Sequence, residues 1–192
     1  EGFEGYEHGT KTTDLIGWKS GRRGQCRVEG KKFAFEEQGD VLFMEDAGRE
    51  DWQEGLMKRF MSPLSGHWQF EFKFWETVDN HDGNLWLQDT NGEPLIGVGT
   101  ENPQWEVVLP GEGEVVNDRE NGNDYEHWVH VVLEVDTERS RARVTFDDLA
   151  DDDKKTYGWF ELPEDAEIGG VGLGPDAEWY VDDIRIKRIV NR

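Results

Sequence analysis

Apolar and polar residues alternate along several stretches of this chain. In residues 66–78 aromatic residues at even positions alternate with mostly polar residues at odd positions, and residues 129–135 carry Val or Leu at every odd position. A period of two places successive side chains on opposite faces of a β-strand, whereas a helix requires a period of about 3.6. The chain is therefore predicted to consist of half-buried strands without an amphipathic helix.

Short predicted strands recur along the whole chain and are separated by turn residues. They cover residues 26–28, 32–35, 41–44, 56–60, 66–78, 84–89, 95–98, 105–109, 128–135, 142–146, 157–162, 168–173 and 179–189. Asp82-Gly83 and Asn91-Gly92 are predicted hairpin turns, and residues 147–155 are predicted to form an acidic loop. Spacing of about 8–12 residues between strands predicts a sandwich or barrel. Residues 1–192 are expected to form a single domain.

The formal net charge of the 192-residue chain is −22, and the acidic residues are spread along its whole length. Such a charge repels phosphate and anionic lipid, so nucleic acid and an anionic membrane surface are not expected partners. The charge could serve a cationic ligand or metal, or it could keep the surface hydrated in concentrated salt. A Debye length of about 3 Å at molar salt would remove the self-repulsion. The even spread favours the second interpretation and resembles proteins of halophilic organisms.

The two ends of the chain carry a family resemblance. Gly-Phe-Glu-Gly-Tyr-Glu at residues 2–7, Gly-Gly-Val-Gly-Leu at residues 169–173 and Trp-Tyr-Val-Asp-Asp-Ile at residues 179–184 form the matching pattern. This layout resembles concanavalin A-like (laminin G-like) sandwiches and related carbohydrate-binding jelly rolls. The resemblance covers nearly the whole chain and implies an all-β antiparallel β-sandwich with jelly-roll topology.

In many domains of this type a calcium ion lies where the first and last strands meet. The resemblance implies that Glu4 and Asp182 supply ligands to it here. Calcium takes six to eight oxygen ligands from carboxylates, carbonyls and waters. Alternation places Asp182 on one face with Tyr180 and Ile184, where an uncompensated charge is costly. The alternative is that Asp182 caps the edge of the sandwich or accepts backbone N–H bonds.

Several large aromatic residues alternate out of phase with the predicted core. Trp86, for example, lies between Leu85 and Leu87. Sugar rings stack their C–H faces on such aromatics, while neighbouring polar groups bind the hydroxyls. The alternative is that these aromatics pack beneath loops on the outer surface. The predicted ligand-binding residues are Gln69, Glu71, Trp75, Trp86, Gln88, Trp128 and His130, with Trp159 as a further candidate.

Enzymatic interpretations depend on weaker patterns. Residues 134–138 (Glu-Val-Asp-Thr-Glu) resemble the Glu-x-Asp-x-Glu strand of laminarinase-like glycoside hydrolases, in which nucleophile and acid lie about 5–5.5 Å apart. This stretch is interpreted as non-catalytic because it comes late in the chain and ends on a polar turn. Polysaccharide lyases need a Tyr or His base beside Arg, Gln or Asn. Such residue types occur, for example Gln69, Tyr125 and His130, without a lyase motif.

These observations favour a non-catalytic glycan-binding or surface-adhesion module with a structural calcium site, located outside the cell or at its surface. The alternatives are a polysaccharide lyase or glycoside hydrolase, and a structural surface, filament or virion subunit that self-associates through an edge strand. The chain starts at Glu1 without a signal peptide, so it is expected to be a mature or trimmed form. Cys26 is the only cysteine, and no apolar run approaches the ~20 residues needed to cross a membrane.

Overall fold

In the part of the chain that it describes, the computed structural model contains two antiparallel sheets of seven strands each. It describes residues 17–20, 25–29, 41–45, 56–76, 82–101, 104–118, 128–150, 153–175 and 179–190. In spatial order, sheet A contains β12 (Asp153–Glu161), β11 (Arg141–Asp148), β10 (Trp128–Asp136), β5 (His67–Glu76), β14 (Trp179–Arg188), β3 (Val41–Glu45) and β2 (Gln25–Glu29). Sheet B contains β1 (Lys19–Ser20), β4 (Leu56–Leu64), β13 (Ile168–Pro175), β6 (Asp82–Gln88), β7 (Pro94–Glu101), β8 (Gln104–Leu109) and β9 (Gly113–Asp118).

The core lies between the two sheets and is filled by the alternating residues of their facing sides. Phe72 of β5, Val131 of β10 and Leu87 of β6 are fully buried there. Trp105 of β8 stacks on Phe146 of β11, with ring centroids 5.1 Å apart, so the two sheets contact each other directly. The period-two pattern thus identifies the core side of each strand, and the predicted antiparallel β-sandwich is confirmed.

The turn predictions divide into one success and one error. Residues Asn91 and Gly92 form the turn between β6 and β7, where Asp89 Oδ1 accepts the backbone N–H groups of Asn91, Gly92 and Glu93. Asp82 and Gly83, by contrast, lie inside β6. The predicted hairpin there is wrong because β5 and β6 belong to different sheets and do not pair with each other.

Two further predictions need correction. The predicted acidic loop over residues 147–155 is largely strand, because β11 continues to Asp148 and β12 starts at Asp153. Asp147 pairs with Lys154 across these strands, and Lys154 Nζ donates to Asp147 Oδ2 at 2.7 Å. Strand β9 was missed by sequence reasoning. The predicted strand at residues 32–35 lies outside the described residues.

Strand β14 contains an irregularity that changes which side chains share a face. Its register on β5 shifts between Asp182 and Arg185, and Asp183 adopts a φ of 54°. Ile184 therefore packs into the core, whereas Asp182 lies opposite Lys73 of β5 in the strand register, on the outer face of sheet A. The prediction that Asp182 and Ile184 share one face is wrong, because alternation fails at a bulge.

In the described part of the chain, the structure has no helix of the length and apolar character needed to cross a membrane.

Candidate functional site

The structure separates the predicted ligand-binding residues into two groups. Five of them lie on strands of sheet A and two on strand β6 of sheet B, so the sandwich core lies between the groups. The sheet A group comprises Gln69, Glu71, Trp75, Trp128 and His130. The sheet B group comprises Trp86 and Gln88. One ligand cannot contact both groups through the core, so each outer face must be considered by itself.

The outer face of sheet A is dominated by ion pairs between neighbouring strands. Lys187 Nζ of β14 donates to Glu71 Oε1 of β5 at 2.6 Å, and Gln69 Nε2 donates to the same oxygen. Lys73 Nζ lies 2.9 Å from Asp183 Oδ2. The carboxylates on this face that pair with a lysine or arginine are those of Glu71, Glu134, Asp136, Asp147 and Asp183. Their bonding capacity is thus largely used within the protein.

The titrating groups beside Glu71 reinforce this pairing. Burial would raise the pKa of Glu71, but the hydrogen bond and charge of Lys187, the charge of His130 and the Gln69 hydrogen bond outweigh it and hold that pKa below its usual range. Burial lowers the pKa of His130, although the charges of Glu71 and Asp147 partly offset it. The lowered pKa of Glu71 favours its ionised form, which pairs with Lys187.

Trp159 of β12 is 39% exposed, but its indole ring already has partners. The guanidinium carbons of Arg141 and Arg143 lie 4.1 and 4.7 Å from the ring centroid, within the range of a cation–π contact. Arg143 Nη2 also donates to both carboxylate oxygens of Glu134, at 2.8 and 3.0 Å. The arrangement joins β10, β11 and β12 and is a structural use of the aromatic ring.

Two carboxylates of the Glu-x-Asp-x-Glu stretch, those of Glu134 and Asp136, also have partners within the protein. Glu134 and Asp136 lie on one strand face, as alternation predicts, but Asp136 Oδ2 accepts a hydrogen bond from Arg139 Nη1 at 3.1 Å. Glu138 lies in a 3₁₀ turn, Thr137–Arg139, rather than on the strand. The three carboxylates therefore do not line one face of a strand.

Trp75, Trp128 and Tyr180 form a small aromatic cluster at one end of the outer face of sheet A. The rings of Trp75 and Trp128 meet edge to face, with centroids 5.8 Å apart, and Trp128 is only 8% exposed. For Trp128 this favours the packing interpretation that the sequence left open, because a ring buried to this extent has little surface to offer a sugar.

The outer face of sheet B has a different construction around Trp86. The strands on either side of β6 carry glycine at their outward positions, namely Gly97 and Gly99 on β7 and Gly170, Gly172 and Gly174 on β13. A Cβ atom at Gly97 would lie 2.7–2.8 Å from three carbons of the six-membered ring of Trp86. The ring therefore lies flat over Gly97, with one face against the backbone and the other directed away from the sheet.

Next to Trp86, a second outward pair spans Gly99. Asn84 of β6 and Glu106 of β8 both lie opposite Gly99, and Asn84 Nδ2 donates to Glu106 Oε2 at 3.0 Å. Glu106 is only 6% exposed although its neighbours Trp105 and Val107 point into the core. Sequence reasoning missed Asn84 and Glu106. The alternating glycines, at 97 and 99 and again at 170, 172 and 174, were the available signal for a close approach of other groups to the backbone. All of them except Gly174 are buried.

Gln88 lies at the end of β6, where the register on β7 shifts. Its side chain is 0% exposed, and neither amide atom has a hydrogen-bond partner among the described residues. A buried amide of this kind costs free energy unless it is bonded. Gln88 is therefore close to Trp86 in sequence but is not available to a ligand at the surface in this conformation.

The predicted calcium ligands are only partly described. Asp182 is 1% exposed, and Glu4 lies outside the described residues. In the described ranges no three His, Cys, Asp or Glu residues come together as a metal site. Of the two predicted ligands, the described residues therefore include only the carboxylate of Asp182.

The two packed antiparallel sheets, with Trp86 on the outer side of one of them, define an all-β jelly-roll sandwich. The chain is similar in structure to the cellulose-induced protein Cip1, with a TM-score of 0.65 and 12% identity over 97% of this chain and 95% of that one. It is also similar to the exoplasmic/lumenal domain of VIP36 in a Ca²⁺/Man3GlcNAc-bound form (TM-score 0.55, 10% identity, 95% and 88% coverage). A third similar structure is the catalytic domain of the glycoside hydrolase family 131 protein from Coprinopsis cinerea (TM-score 0.52, 11% identity, 98% and 92% coverage).

No protein-family model matches the chain, and no curated protein sequence matches it. At these identities the similarity establishes the fold and nothing further. The expected concanavalin A-like β-sandwich is therefore confirmed.

Proposed function

We propose that the protein is a non-catalytic glycan-binding module and that the glycan lies on the outer face of sheet B. The observation that carries the proposal is the Trp86 ring, which lies flat over Gly97 between strands whose outward positions are glycine. A sugar ring can stack on the outward face of such an indole with little loss of side-chain entropy, because the ring is already held.

The polar groups beside Trp86 suit the same ligand. Asn84, on the next outward row of the sheet, is partly exposed, and sugar hydroxyls need such hydrogen-bond partners. The similar structures include a Man3GlcNAc-bound protein and a glycoside hydrolase domain, which supports a glycan as the ligand. The five predicted residues on sheet A remain a separate prediction: Gln69, Glu71, Trp75, Trp128 and His130. Most of their polar and aromatic groups already have partners within the protein.

Trp86→Ala tests the proposal, and Trp159→Ala is its matched control. Both replacements remove a partly exposed tryptophan, but from opposite sheets. Loss of affinity for a retained polysaccharide in Trp86→Ala, with unchanged affinity in Trp159→Ala, is the expected result in affinity electrophoresis or calorimetry. Equal loss in both variants, or in neither, would contradict the proposed position of the ligand.

The non-catalytic role is tested by prolonged incubation with the same polysaccharides. A binding module leaves them intact. New reducing ends would indicate a glycoside hydrolase, and new absorbance from unsaturated uronates would indicate a lyase. Failure to retain any glycan, combined with concentration-dependent assembly into fibres, would favour the structural alternative, in which copies pair through a sheet edge.

The calcium site is part of the proposal, with Asp182 and Glu4 as its ligands. Calcium that binds only the folded state raises Tm by mass action. Addition of calcium at constant ionic strength should therefore raise Tm in the native protein but not in Asp182→Asn. An equal response of the two proteins, or an unchanged Tm after chelation, would remove Asp182 from the site.

We also propose that the protein is adapted to high salt and acts outside the cell or at its surface, as one domain over residues 1–192. Its net charge of −22 supports the first part. Much of the long-range repulsion is already screened by roughly 0.2 M salt, where the Debye length is below about 8 Å, so a further rise of Tm up to molar KCl is the specific expectation. A Tm that is constant or falls over that range would contradict the adaptation.

A further inference from the structure

Three arginine side chains lie together at one end of the outer face of sheet A. Arg139 belongs to the 3₁₀ turn that follows β10, and Arg141 and Arg143 alternate with the buried Ala142 and Val144 on β11. These three side chains form the arginine cluster, and they are 60%, 33% and 41% exposed. In a chain of net charge −22, the cluster is a local concentration of accessible positive charge.

The arginine cluster is held by fewer carboxylates than it has guanidinium groups. Arg139 and Arg141 share one of them, because Arg139 Nη1 lies 3.1 Å and Arg141 Nε lies 3.7 Å from Asp136 Oδ2. Arg143 Nη2 donates to both carboxylate oxygens of Glu134. Three cations therefore pair with two anions, and the paired groups carry one positive charge in excess.

Arg141 has hydrogen-bond donors that the protein does not use. Its 3.7 Å contact with Asp136 is longer than a hydrogen bond, and it makes no hydrogen bond within the described part of the chain. Its Nε atom is buried, whereas its two Nη atoms are not. A guanidinium group is a planar fork of N–H donors that matches the two oxygens of a carboxylate. The terminal nitrogens of Arg141 are thus accessible to a ligand of that shape.

The ring of Trp159 holds these donors in place. The guanidinium carbons of Arg141 and Arg143 lie 4.1 and 4.7 Å from its centroid, so both cations rest against one aromatic ring. An arginine that is already held loses little conformational entropy when a ligand binds. Trp159 therefore acts as a positioning residue for the arginine cluster.

Two further carboxylates lie near the arginine cluster without pairing with it. Glu138 belongs to the same 3₁₀ turn as Arg139, and Glu161 of β12 lies opposite Arg141 in the strand register. Both are exposed, and neither forms an ion pair with the cluster among the described residues. Exposed charges are hydrated and screened by salt. They therefore weaken an anion site at Arg141 without occupying it.

We infer that the arginine cluster is a second binding site, which takes a single carboxylate group carried by a sugar unit of a glycan. In taking a sugar as the carrier, the inference rests on the proposed function and adds an acidic ligand to it. One carboxylate balances the excess positive charge and accepts paired N–H bonds from Arg141. A chain of many carboxylates would instead meet the acidic surface of the rest of the protein.

Disaccharides that differ at one carbon provide the test. Cellobiouronate, with one carboxylate at C6, is compared with cellobiose by calorimetry on the full chain. The uronate should bind at least about tenfold more tightly at low salt, as for a hydrogen bond to a charged group, and less so in molar salt. Equal affinities would overturn the inference. A fully C6-oxidised cellohexaose that binds more tightly than its larger number of units explains would overturn the single-carboxylate ligand class.

Two variants locate the carboxylate. Arg141→Met keeps the apolar stem but removes the accessible donors, so affinity for cellobiouronate should fall about tenfold and affinity for cellobiose should not change. Glu161→Gln removes the exposed carboxylate opposite Arg141 and should raise affinity for the uronate, a gain that a purely structural role of the arginines would not produce. Glu112→Gln, with the same charge change in the exposed turn after β8 of sheet B, is its control. Equal effects of the two glutamate variants would refute the position of the site.

Failure of the inference can be separated from failure of the proposed function, because the two sites lie on opposite sheets. Trp86→Ala should leave the affinity for cellobiouronate unchanged, while an uncharged polysaccharide tests the Trp86 face itself. If Trp86→Ala and not Arg141→Met removes uronate binding, the arginine cluster is not the site and the glycan-binding function stands. If neither disaccharide nor any polysaccharide binds, the proposed function fails together with the inference.

Discussion

Gly97→Ala tests whether the Trp86 ring lies on the backbone of β7. The new methyl group would lie 2.7–2.8 Å from three ring carbons, against 3.4–4 Å for an ordinary contact. The ring must therefore move by roughly 1 Å, and overpacking of this kind costs about 1–3 kcal/mol. Loss of glycine from the unfolded chain offsets about 0.4–1 kcal/mol. The expected net loss is about 1–2 kcal/mol, or a Tm lower by about 2–8 °C for a domain of this size.

The loss of stability in Gly97→Ala can be assigned to the Trp86 ring only through a double-mutant cycle with Trp86→Ala. Once the indole is gone, Gly97→Ala meets no ring and should be neutral or stabilising by about 0.4–1 kcal/mol. The coupling free energy between the two positions should therefore be at least about 1 kcal/mol, well above the error of additivity between independent sites. Guanidinium chloride unfolding of the four proteins in one buffer measures it.

Two outcomes would refute this reasoning. Equal effects of Gly97→Ala in the native and Trp86→Ala backgrounds would mean that the ring does not lie over residue 97. A Gly97→Ala protein that is destabilised as expected but binds glycan with native affinity would mean that the stacking position of Trp86 is not used by the ligand. The first outcome concerns packing and the second concerns function. The two measurements therefore distinguish an error in the position of the Trp86 ring from an error in the position of the ligand.

Three further predictions concern sheet A and the core. The folded-state pKa of Glu71 is lowered. The stability that its ionised form supplies is therefore present above the unfolded pKa of about 4.3 and is lost as pH falls through the folded value. Tm should drop in acid, and the drop should be less steep in Lys187→Met. Phe72→Ala should cost about 3–5 kcal/mol in chemical unfolding, since the ring is fully buried, and a cost below about 1 kcal/mol would contradict that burial. Arg143→Met should cost about 1 kcal/mol or less at low salt and still less in molar salt, where ion pairs are screened; a cost that grows with salt in thermal melts would contradict the ion-pair assignment.

Much of the fold could be predicted because a period of two depends only on local sequence. The core residues Phe70, Phe72 and Phe74 alternate with polar neighbours on β5, and this pattern identifies both the strand and its buried side. The outward direction of Trp86 follows in the same way from Leu85 and Leu87. Alternation failed at β14, where a bulge moves Ile184 into the core.

The grouping of the candidate site residues could not be predicted from alternation, which says which face of a strand a residue occupies but not which sheet the strand joins. Trp75 and Trp86 both alternate out of phase with the core, yet β5 and β6 lie in different sheets although they are consecutive in the chain. Sequence reasoning therefore placed on one surface residues that the core separates.

The amino-acid sequence by itself determined most of the strands and their buried sides, and the acidic net charge of the chain. Only the tertiary structure decided which polar groups have partners. Glu71 bonds to Lys187, 116 positions later in the chain, and Asn84 reaches Glu106 across β7 because residue 99 is glycine. Such contacts form between strands brought together by sheet pairing and core packing, and these non-local forces leave no mark in the local pattern of any single strand.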